Sequence, residues 1–336
     1  MGRFLKTILL VSILTLFGSI SVCAQASAAV VDVEKDIVNT GKHNYSFAEM
    51  EADLNLLASK YPEQLKISTV GTSVDGRGIY QAILGNPQAK NAIFVMGTIH
   101  GREWMNSWIL MEMLEWNLDN WNNTAPNGET YGNVFNDCCI YVLPMVNPDG
   151  VEISQKGFTG INNEELRNAL KNMRGAGNPK RWKANAHGVD LNRNFSTGWN
   201  SKVDQTTPGA DFYNGPNAES EPETLAVKNA LNQRGFIACL SYHSSERTLY
   251  WDLGQEGELR ERVQALVTHC HNINGYKYGE ASPLKGLEYN YMTYAKGIPS
   301  VVIETGTAAS PLPYSSFKTI WKENKFMMVA LAGCYQ

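Results

Sequence analysis

A histidine and a glutamate three residues apart, His100 and Glu103, lie at the junction of two apolar runs. The run before them, 92–98, is partly β-branched and predicts a strand, and the run after them, 104–118, has the spacing of a helix. On a turn between a strand and a helix, an imidazole nitrogen and a carboxylate can point at one position above the edge of a sheet. Side chains of these two types begin a zinc site, which takes three protein ligands when it is catalytic.

Two further residues with suitable chemistry lie in comparable places. His243 ends the predicted strand 236–242, and Glu304 directly follows an apolar, strand-like segment. Ligands of α/β sheets bind at the edge where the strands end. A single histidine is more often structural than metal-bound, but the set His100, Glu103 and His243 has the composition of a catalytic zinc site with one position open for water. We therefore predict one Zn2+ ion per chain.

Glu304 is the candidate for proton transfer. It follows the apolar segment 300–303, where a charged side chain is costly to bury unless it has a partner or a function. A carboxylate beside a metal can accept a proton from water and pass it to the leaving amine. We predict this catalytic role for Glu304, and the alternative is a buried carboxylate paired with a basic neighbour.

Strand signals and helix signals alternate along the chain, and they define the elements that must position these side chains. Ser46 and Glu49 form a capping-box pattern at the start of the first helix, and Pro62 follows its end. The alternation predicts an α/β fold, a single domain with a mixed, twisted β-sheet and helices on both faces. The polar segment 121–136 is predicted to be a loop, and 157–186 a surface excursion near the site. The predicted strands are 65–70, 79–84, 92–98, 139–145, 236–242 and 300–304, and the predicted helices are 47–60, 104–118, 221–233, 258–274, 289–296 and 316–332.

The start of the chain has the pattern of a cleaved secretory signal. Arg3 and Lys6 precede an apolar run at 7–22, and small residues follow it. We predict a signal peptide at 1–26, a catalytic domain at 27–336, and a mature protein that is secreted to the extracellular space or the cell wall. The alternative is an uncleaved membrane anchor, but the run is shorter than the ~20 residues of a spanning helix. After removal of the signal, no stable membrane association is expected.

Composition and charge exclude several classes of protein. With 43% hydrophobic residues in a chain of 336, a large core can be buried, so disorder is not expected. The leader holds two basic residues and no acidic ones, so its loss changes the net charge from −4 to about −6, which gives no reason to expect a nucleic-acid partner. The remaining cysteines are odd in number, so at least one is unpaired within the chain, and their spacing is not that of a zinc site. These cysteines are Cys138, Cys139, Cys239, Cys270 and Cys334.

Several separated motifs, in this order, resemble those of the M14 zinc carboxypeptidases, the class of carboxypeptidase A. The resemblance extends from about residue 45 to the C-terminus, and it implies a zinc-dependent hydrolase of amide bonds with His100, Glu103 and His243 as ligands and Glu304 as base and acid. Each motif is weak alone, and the set is specific. The motifs are His100-x-x-Glu103, Asn147-Pro148-Asp149-Gly150, Asp190-Leu191-Asn192-Arg193-Asn194, Tyr242-His243-Ser244, and Glu304 after an apolar strand.

The resemblance also implies residues that bind substrate. Asn192 and Arg193 would hold a substrate carboxylate, for which the planar fork of arginine is suited; the alternative is a solvated turn. Members of the family use an arginine to polarise the scissile carbonyl, and the matching position here is Lys183. A lysine supplies the charge without the bidentate geometry, so Arg181 and Arg174 remain alternatives for this role.

A second departure from the family concerns the tyrosine that closes over the substrate in digestive members. The loop after the Tyr278-Gly279 pair, 280–286, is short and contains no tyrosine. Tyr276, Tyr289 and Tyr291 are the possible substitutes, and the sequence does not choose among them.

The segment from Trp182 to Phe195, without a digestive-type propeptide before the domain, is most similar to bacterial γ-D-glutamyl-diamino-acid peptidases. That resemblance implies action on peptidoglycan stem peptides, at the amide bond between D-glutamate and a diamino acid such as meso-diaminopimelate. We also predict that the protein is a monomer. Glu280 or Glu288 could meet the ammonium group of the diamino acid, or could be surface charges. The alternatives are an exported metallocarboxypeptidase that trims ordinary peptides, and a wall-peptide-binding module with a zinc fold and no activity.

Overall fold

In the computed structural model, the described residues are 36–41, 44–201, 203–279 and 286–335. The predicted signal peptide at 1–26 and Glu280 lie outside these ranges. In the described part of the chain, no helix is both long and apolar enough to cross a membrane.

Eight strands in the described residues form one sheet. They are β1 (Leu65–Thr72), β2 (Gly78–Leu84), β3 (Asn91–Gly97), β4 (Cys138–Leu143), β5 (Ala238–His243), β6 (Thr248–Tyr250), β7 (Lys277–Tyr278) and β8 (Ser300–Glu304). Their order is β1-β2-β4-β3-β5-β8-β6-β7. The central strands β4, β3, β5 and β8 are parallel. Strand β2 is antiparallel to both of its neighbours, β1 and β4, and β6 is antiparallel to β8. The predicted mixed sheet is confirmed; β6 and β7 are too short to give a periodic signal.

Helices cover the sheet. They are α1 (Phe47–Lys60), α2 (Met105–Asp119), α3 (Tyr131–Asp137), α4 (Pro148–Lys156), α5 (Glu164–Leu170), α6 (Pro222–Leu231), α7 (Gly257–Asn274), α8 (Glu288–Asn290), α9 (Phe317–Asn324) and α10 (Met327–Gly333). The predicted capping box of α1 is present, because Ser46 and Glu49 exchange side-chain to backbone hydrogen bonds. A π-helical turn, Tyr291–Ala295, continues α8.

Side chains of the sheet alternate between two cores, as the pleat requires. Ile93 and Val95 of β3 pack in one core with α2. Phe94 and Met96 point to the opposite face and pack in a second core with α6. The sheet is therefore covered on both faces, as predicted.

Two local predictions were wrong. The segment 121–136 was expected to be a loop, but α3 begins at Tyr131 with Thr130 as its N-cap, accepting a hydrogen bond from the backbone of Asn133. The predicted helix 316–332 is two helices, α9 and α10. In the Asn-Pro-Asp-Gly motif, Asn147 caps the N-terminus of α4, where proline at the first helical position is favourable.

The cysteines of the described chain form no disulfide. Cys138, Cys139, Cys239 and Cys270 are buried, and Cys334 is exposed. The buried four act as small apolar side chains of the cores.

Candidate active site

The carboxyl ends of the parallel strands bring the candidate residues together. The turn with His100 and Glu103 follows β3, His243 is the last residue of β5, and Glu304 is the last residue of β8. His243 and Glu304 are direct neighbours in the register of these two strands. Residues that are remote in sequence therefore meet at one sheet edge, because parallel strands end there together.

The side chains of His100, Glu103 and His243 are buried and converge. One potential ligand atom from each lies within 4.8 Å of the other two. Nδ1 of His100 is 2.9 Å from Oε1 of Glu103, and Nδ1 of His243 is 3.2 Å from Oε2 of the same carboxylate. Two imidazole nitrogens and one carboxylate are the donors of a catalytic zinc site with an open position.

The distal nitrogens of both imidazoles face buried carboxylates. Nε2 of His100 lies 3.2 Å from Oδ1 of Asp190, and Nε2 of His243 lies 2.9 Å from Oε1 of Glu288. Metal-binding histidines in proteins almost always have such a partner on the other ring nitrogen, which fixes the tautomer. The donor set and its surroundings thus fit a divalent cation.

The electrostatics favour ionised carboxylates beside the histidines. Burial alone raises the pKa of Glu103, but the charges and hydrogen bonds of His100 and His243 outweigh it, and the pKa is lowered. In the same way, Lys183 and His100 hold the pKa of Asp190 well below its usual range against the effect of burial. Both groups are therefore anions at neutral pH, as a cation site needs.

Local contacts hold the turn that carries His100 and Glu103. Thr98, directly after β3, has φ 57°, and its hydroxyl donates to the carbonyl of Glu103 at 3.2 Å and accepts from the backbone of Ser107 at 3.1 Å. A side-chain β-carbon on Gly101 would lie 2.2 Å from the carbonyl carbon of Gly150. Only glycine therefore fits between the turn and α4.

Asn147 connects this turn to the segment that carries Lys183. Its amide nitrogen donates to the carbonyls of Ile99, Lys183 and Ala184 at 3.1–3.2 Å. The backbone N–H of Gly101 also donates to the carbonyl of Lys183, at 3.0 Å. Through these bonds the Asn-Pro-Asp-Gly motif holds the turn of His100 and Glu103 against the segment of Lys183.

A cavity of about 280 Å³ opens above the three converging side chains. One wall is polar and basic, and the other is aromatic and aliphatic. The lining residues are His100, Lys183, Asn192, Arg193, His243, Tyr250, Leu287, Tyr289, Val302 and Glu304. Glu304, Lys183, Asn192 and Arg193, the residues predicted for catalysis and for binding the substrate carboxylate, line this cavity with the predicted ligands His100 and His243. The third predicted ligand, Glu103, lines a neighbouring cavity.

Glu304 is partly buried, with its carboxyl in the cavity wall. Burial raises its pKa to about 7, an effect that Glu103 reinforces and that His243 and Lys183 oppose. A carboxyl with this pKa exchanges protons readily at neutral pH.

The basic wall is held by a few specific contacts. Nζ of Lys183 is 3.8 Å from Oδ2 of Asp190. The cationic groups of Lys183 and Arg193 lie 5.0 Å and 5.6 Å from the ring centre of Phe212. Arg193 also approaches Asp204, with 3.4 Å between Nε and Oδ2. Two cations thus border one cavity, which favours an anionic group of a ligand.

The alternatives for the carbonyl-polarising cation differ in position. Arg174 lies at the surface, paired with Asp211 at 2.7 Å. Arg181 lines a second cavity of about 290 Å³, which Glu304 also lines. Lys183 lines both cavities, so of the three cations it is the one shared between them.

The tyrosine alternatives also separate. Tyr276 is buried and donates to Glu323 at 2.8 Å, and Tyr291 is buried in a core. Tyr289 lines the cavity, as does Tyr250, a residue that sequence reasoning missed because β6 was not predicted.

Glu288 was misjudged from the sequence. It was expected as a partner for a substrate ammonium or as a surface charge, but it is fully buried and bound to His243. The available signal was a lone acidic residue in the segment 287–292, which is otherwise apolar or aromatic except for Asn290.

The fold and the site define a zinc-dependent hydrolase of the α/β class. A family model described as zinc carboxypeptidase, Peptidase_M14, matches residues 50–326, and the chain belongs to this family of metallopeptidases. Its cofactor is zinc, as predicted.

Individual relatives agree with this assignment. The chain is 31% identical over 300 residues to Gamma-D-glutamyl-L-diamino acid endopeptidase 1 of Lysinibacillus sphaericus, covering 88% of this chain and 73% of that protein. The crystal structure of thrombin activatable fibrinolysis inhibitor has a TM-score of 0.69 at 19% identity, covering 90% of this chain and 82% of that one. Carboxypeptidase A from Helicoverpa armigera has a TM-score of 0.64 at 16% identity, with 89% and 76% covered. The two solved structures establish the fold.

Proposed function

We propose that this zinc peptidase hydrolyses the γ-D-glutamyl-diamino acid amide bond of peptidoglycan stem peptides. The observation that carries the proposal is the 31% identity, over 88% of the chain, to an enzyme named for that bond. The basic cavity supports it, because the diamino acid beyond the cut presents a carboxylate that needs cationic partners.

In this function, His100, Glu103 and His243 hold the zinc. Zinc, when bound, supplies Lewis-acid catalysis. Glu304 removes a proton from the attacking water and delivers it to the leaving amine, two steps for which a pKa near 7 is suited. Lys183, which borders both cavities, stabilises the negative charge that develops on the scissile carbonyl oxygen.

Asn192 and Arg193 bind the carboxylate of the diamino acid. Oδ1 of Asn192 accepts a hydrogen bond from the backbone of Glu288 at 3.0 Å, so the amide nitrogen is the donor left for a ligand. The guanidinium of Arg193 adds a second, charged donor in the same cavity.

The acyl side of the bond has a feature that distinguishes γ-linked glutamate from an ordinary residue, namely a free α-carboxylate next to the linkage. Arg102 and Arg181 both line the second cavity. Nη1 of Arg102 donates to the carbonyl of Arg181 at 3.4 Å, and its buried Nε has no hydrogen-bond partner among the described residues. The two guanidinium groups that line this cavity favour a carboxylate there.

Export and location follow from the substrate. The leader at 1–26 has the features of a secretory signal, and stem peptides lie outside the cytoplasmic membrane. We include secretion to the cell wall or the extracellular space, and a monomeric state, in the proposal.

The family name supports a second candidate, a metallocarboxypeptidase that removes C-terminal residues from ordinary peptides. A wall-peptide-binding module without activity is less well supported, because a binder has no use for a proton carrier such as Glu304.

Product identification separates these functions. The purified holoenzyme is incubated with a stem peptide that contains γ-D-glutamyl-diaminopimelate and with a matched peptide that has an α-linked L-glutamate, and the products are identified by mass spectrometry. We expect cleavage of the γ-linked bond and little of the α-linked one, and Arg181→Ala should raise KM for the γ-linked peptide. Release of ordinary C-terminal residues alone would favour the carboxypeptidase, and no cleavage of either peptide by the zinc-loaded protein would favour the binding module.

A further inference from the structure

Glu288 is a buried carboxylate whose hydrogen bonding is directed at one imidazole. Glu288 is 0% exposed, and its Oε1 is 2.9 Å from Nε2 of His243. Its other oxygen, Oε2, has no hydrogen-bond partner among the described residues. An acid of this kind is costly to bury unless its partner requires it.

We propose that Glu288 is a positioning residue for His243 and thereby sets the zinc affinity of the protein. Nδ1 of His243 points to Glu103 and to the centre of the ligand group. For that nitrogen to offer its lone pair to a metal, the ring proton must be on Nε2, where it is donated to Glu288. The carboxylate therefore selects the tautomer that can bind zinc and holds the ring against rotation.

The backbone of the same residue extends this role to the substrate side of the cavity. The N–H of Glu288 donates to Oδ1 of Asn192 at 3.0 Å. The N–H of Asn192 in turn donates to Oδ1 of Asp190 at 3.2 Å, and that carboxylate lies 3.2 Å from Nε2 of His100. A continuous set of contacts thus runs from one histidine to the other through Asn192, so the ligands and the amide that faces the cavity are positioned together.

Glu288 lies on a short helix, α8, whose start is held close to the segment of Asn192. Glu288 begins α8, and a π-helical turn follows it. Gly286, two residues earlier, has φ 73°, and a β-carbon there would lie 2.7 Å from the carbonyl oxygen of Arg193. This close approach brings the start of α8 beside the segment of Asn192 and over the end of β5.

The zinc affinity of Glu288→Gln tests the proposal. Glutamine has the same shape, but its neutral oxygen is a weaker acceptor than a carboxylate, so we expect zinc to bind about 10–100-fold more weakly in competition with a chelator. Glu288→Ala, which removes the acceptor, should weaken binding at least as much.

Glu221→Gln is the matched control. Glu221 is also buried, at 2% exposure, and also meets a histidine, His187, with 2.8 Å between Oε2 and Nδ1. Since His187 is not part of the ligand group, this variant should bind zinc with the affinity of the parent even if its stability changes. Thermal unfolding of the metal-free variants identifies any general loss of fold.

A second measurement needs no variant. Histidine ¹⁵N spectra of the zinc-loaded parent should show a protonated Nε2 and an unprotonated Nδ1 for His243. The proposal is overturned if His243 has the opposite tautomer, or if folded Glu288→Gln and Glu288→Ala both bind zinc like the parent. Neither readout involves a peptide, so the outcome does not depend on which bond the enzyme cleaves.

Discussion

The proton chemistry at the residue scale depends on where Glu304 is placed. The end of β8 puts its carboxyl in the wall of a cavity that Lys183, His100 and His243 also line. Burial favours the neutral acid and nearby positive charge favours the anion, and the balance is a pKa of about 7. A group with this balance can accept a proton in one step and return it in the next.

Glu304→Gln removes the proton acceptor and leaves the shape of the cavity unchanged. We expect kcat to fall by about 10²–10⁴-fold, the usual contribution of a general acid-base group. Zinc content, measured by elemental analysis, should stay at one ion per chain, because Glu304 is not in the ligand group. Hydrolysis at the parent rate by this variant would contradict the proposed mechanism.

The pH dependence of kcat/KM follows from the same group. Only the ionised carboxylate can accept the proton, so kcat/KM should fall as the pH is lowered through the pKa of Glu304, which burial places at about 7. A bound cation favours the anion, so in the holoenzyme the midpoint should lie below that value. The profile is measured with zinc occupancy checked at every pH. The residual activity of Glu304→Gln should lack this acid limb, and an identical limb in the variant would assign it to another group.

At the element scale, the site depends on the close contact between the turn after β3 and the start of α4. A β-carbon on Gly101 would collide with the backbone of Gly150, and a β-carbon on Gly150 would lie 2.7 Å from the carbonyl oxygen of Ala184. The hydrogen bonds of Asn147 then attach the segment of Lys183 to the same turn. The distance between ligands and the basic wall is thus set by backbone contacts.

Gly101→Ala tests this contact. The new β-carbon would lie 2.2 Å from the carbonyl carbon of Gly150, so backbone must move, and we expect the free energy of unfolding to fall by about 1–3 kcal/mol. Zinc affinity should fall as well, because the turn carries two of the proposed ligands.

Gly177→Ala is the control for this substitution. Nothing lies within 4 Å of a β-carbon at that position, so stability and zinc affinity should stay close to those of the parent. If both alanine variants behaved alike in unfolding and zinc-binding measurements, the contact between the turn and α4 would not be what positions the site.

At the scale of the whole molecule, the sheet joins segments that are remote in sequence. The proposed ligands come from the ends of β3 and β5, the base comes from β8, and the basic wall comes from the segment before Asn194. A cation bound by the residues at the carboxyl ends of β3 and β5 would connect two neighbouring parallel strands. Its binding energy therefore adds to the stability of the native state.

Metal removal should lower both activity and stability. Treatment with a chelator should abolish hydrolysis and lower the melting temperature, and added zinc should restore both. At a free zinc concentration of 100 times Kd, the expected stabilisation is about 2.7 kcal/mol. His100→Ala should show no zinc-dependent change of melting temperature in calorimetry. Full activity in protein that elemental analysis shows to be free of metal would refute the zinc mechanism.

Local patterns were enough to predict most elements, because periodicity, caps and turn residues are local signals. The capping box at Ser46 and the strand over 300–304 are examples. The exceptions have physical causes. β7 has two residues, and the break between α9 and α10, at 325–326, interrupts a continuous apolar pattern. Neither feature changes the periodicity of apolar residues from which elements are predicted.

The sequence by itself determined the chemical types of the site, the fold class and the cofactor. A histidine and a glutamate after one apolar strand, and single residues at the ends of two others, predict a catalytic zinc site because strand ends in such sheets meet. The resemblance of the ordered motifs to the M14 carboxypeptidases implied the peptidase activity. The tertiary structure alone decided the contacts around them. It put Glu288 against His243, Tyr250 in the cavity, and Lys183 rather than Arg174 beside Glu304. These contacts join residues far apart in the chain, and only packing determines which of many similar side chains come together.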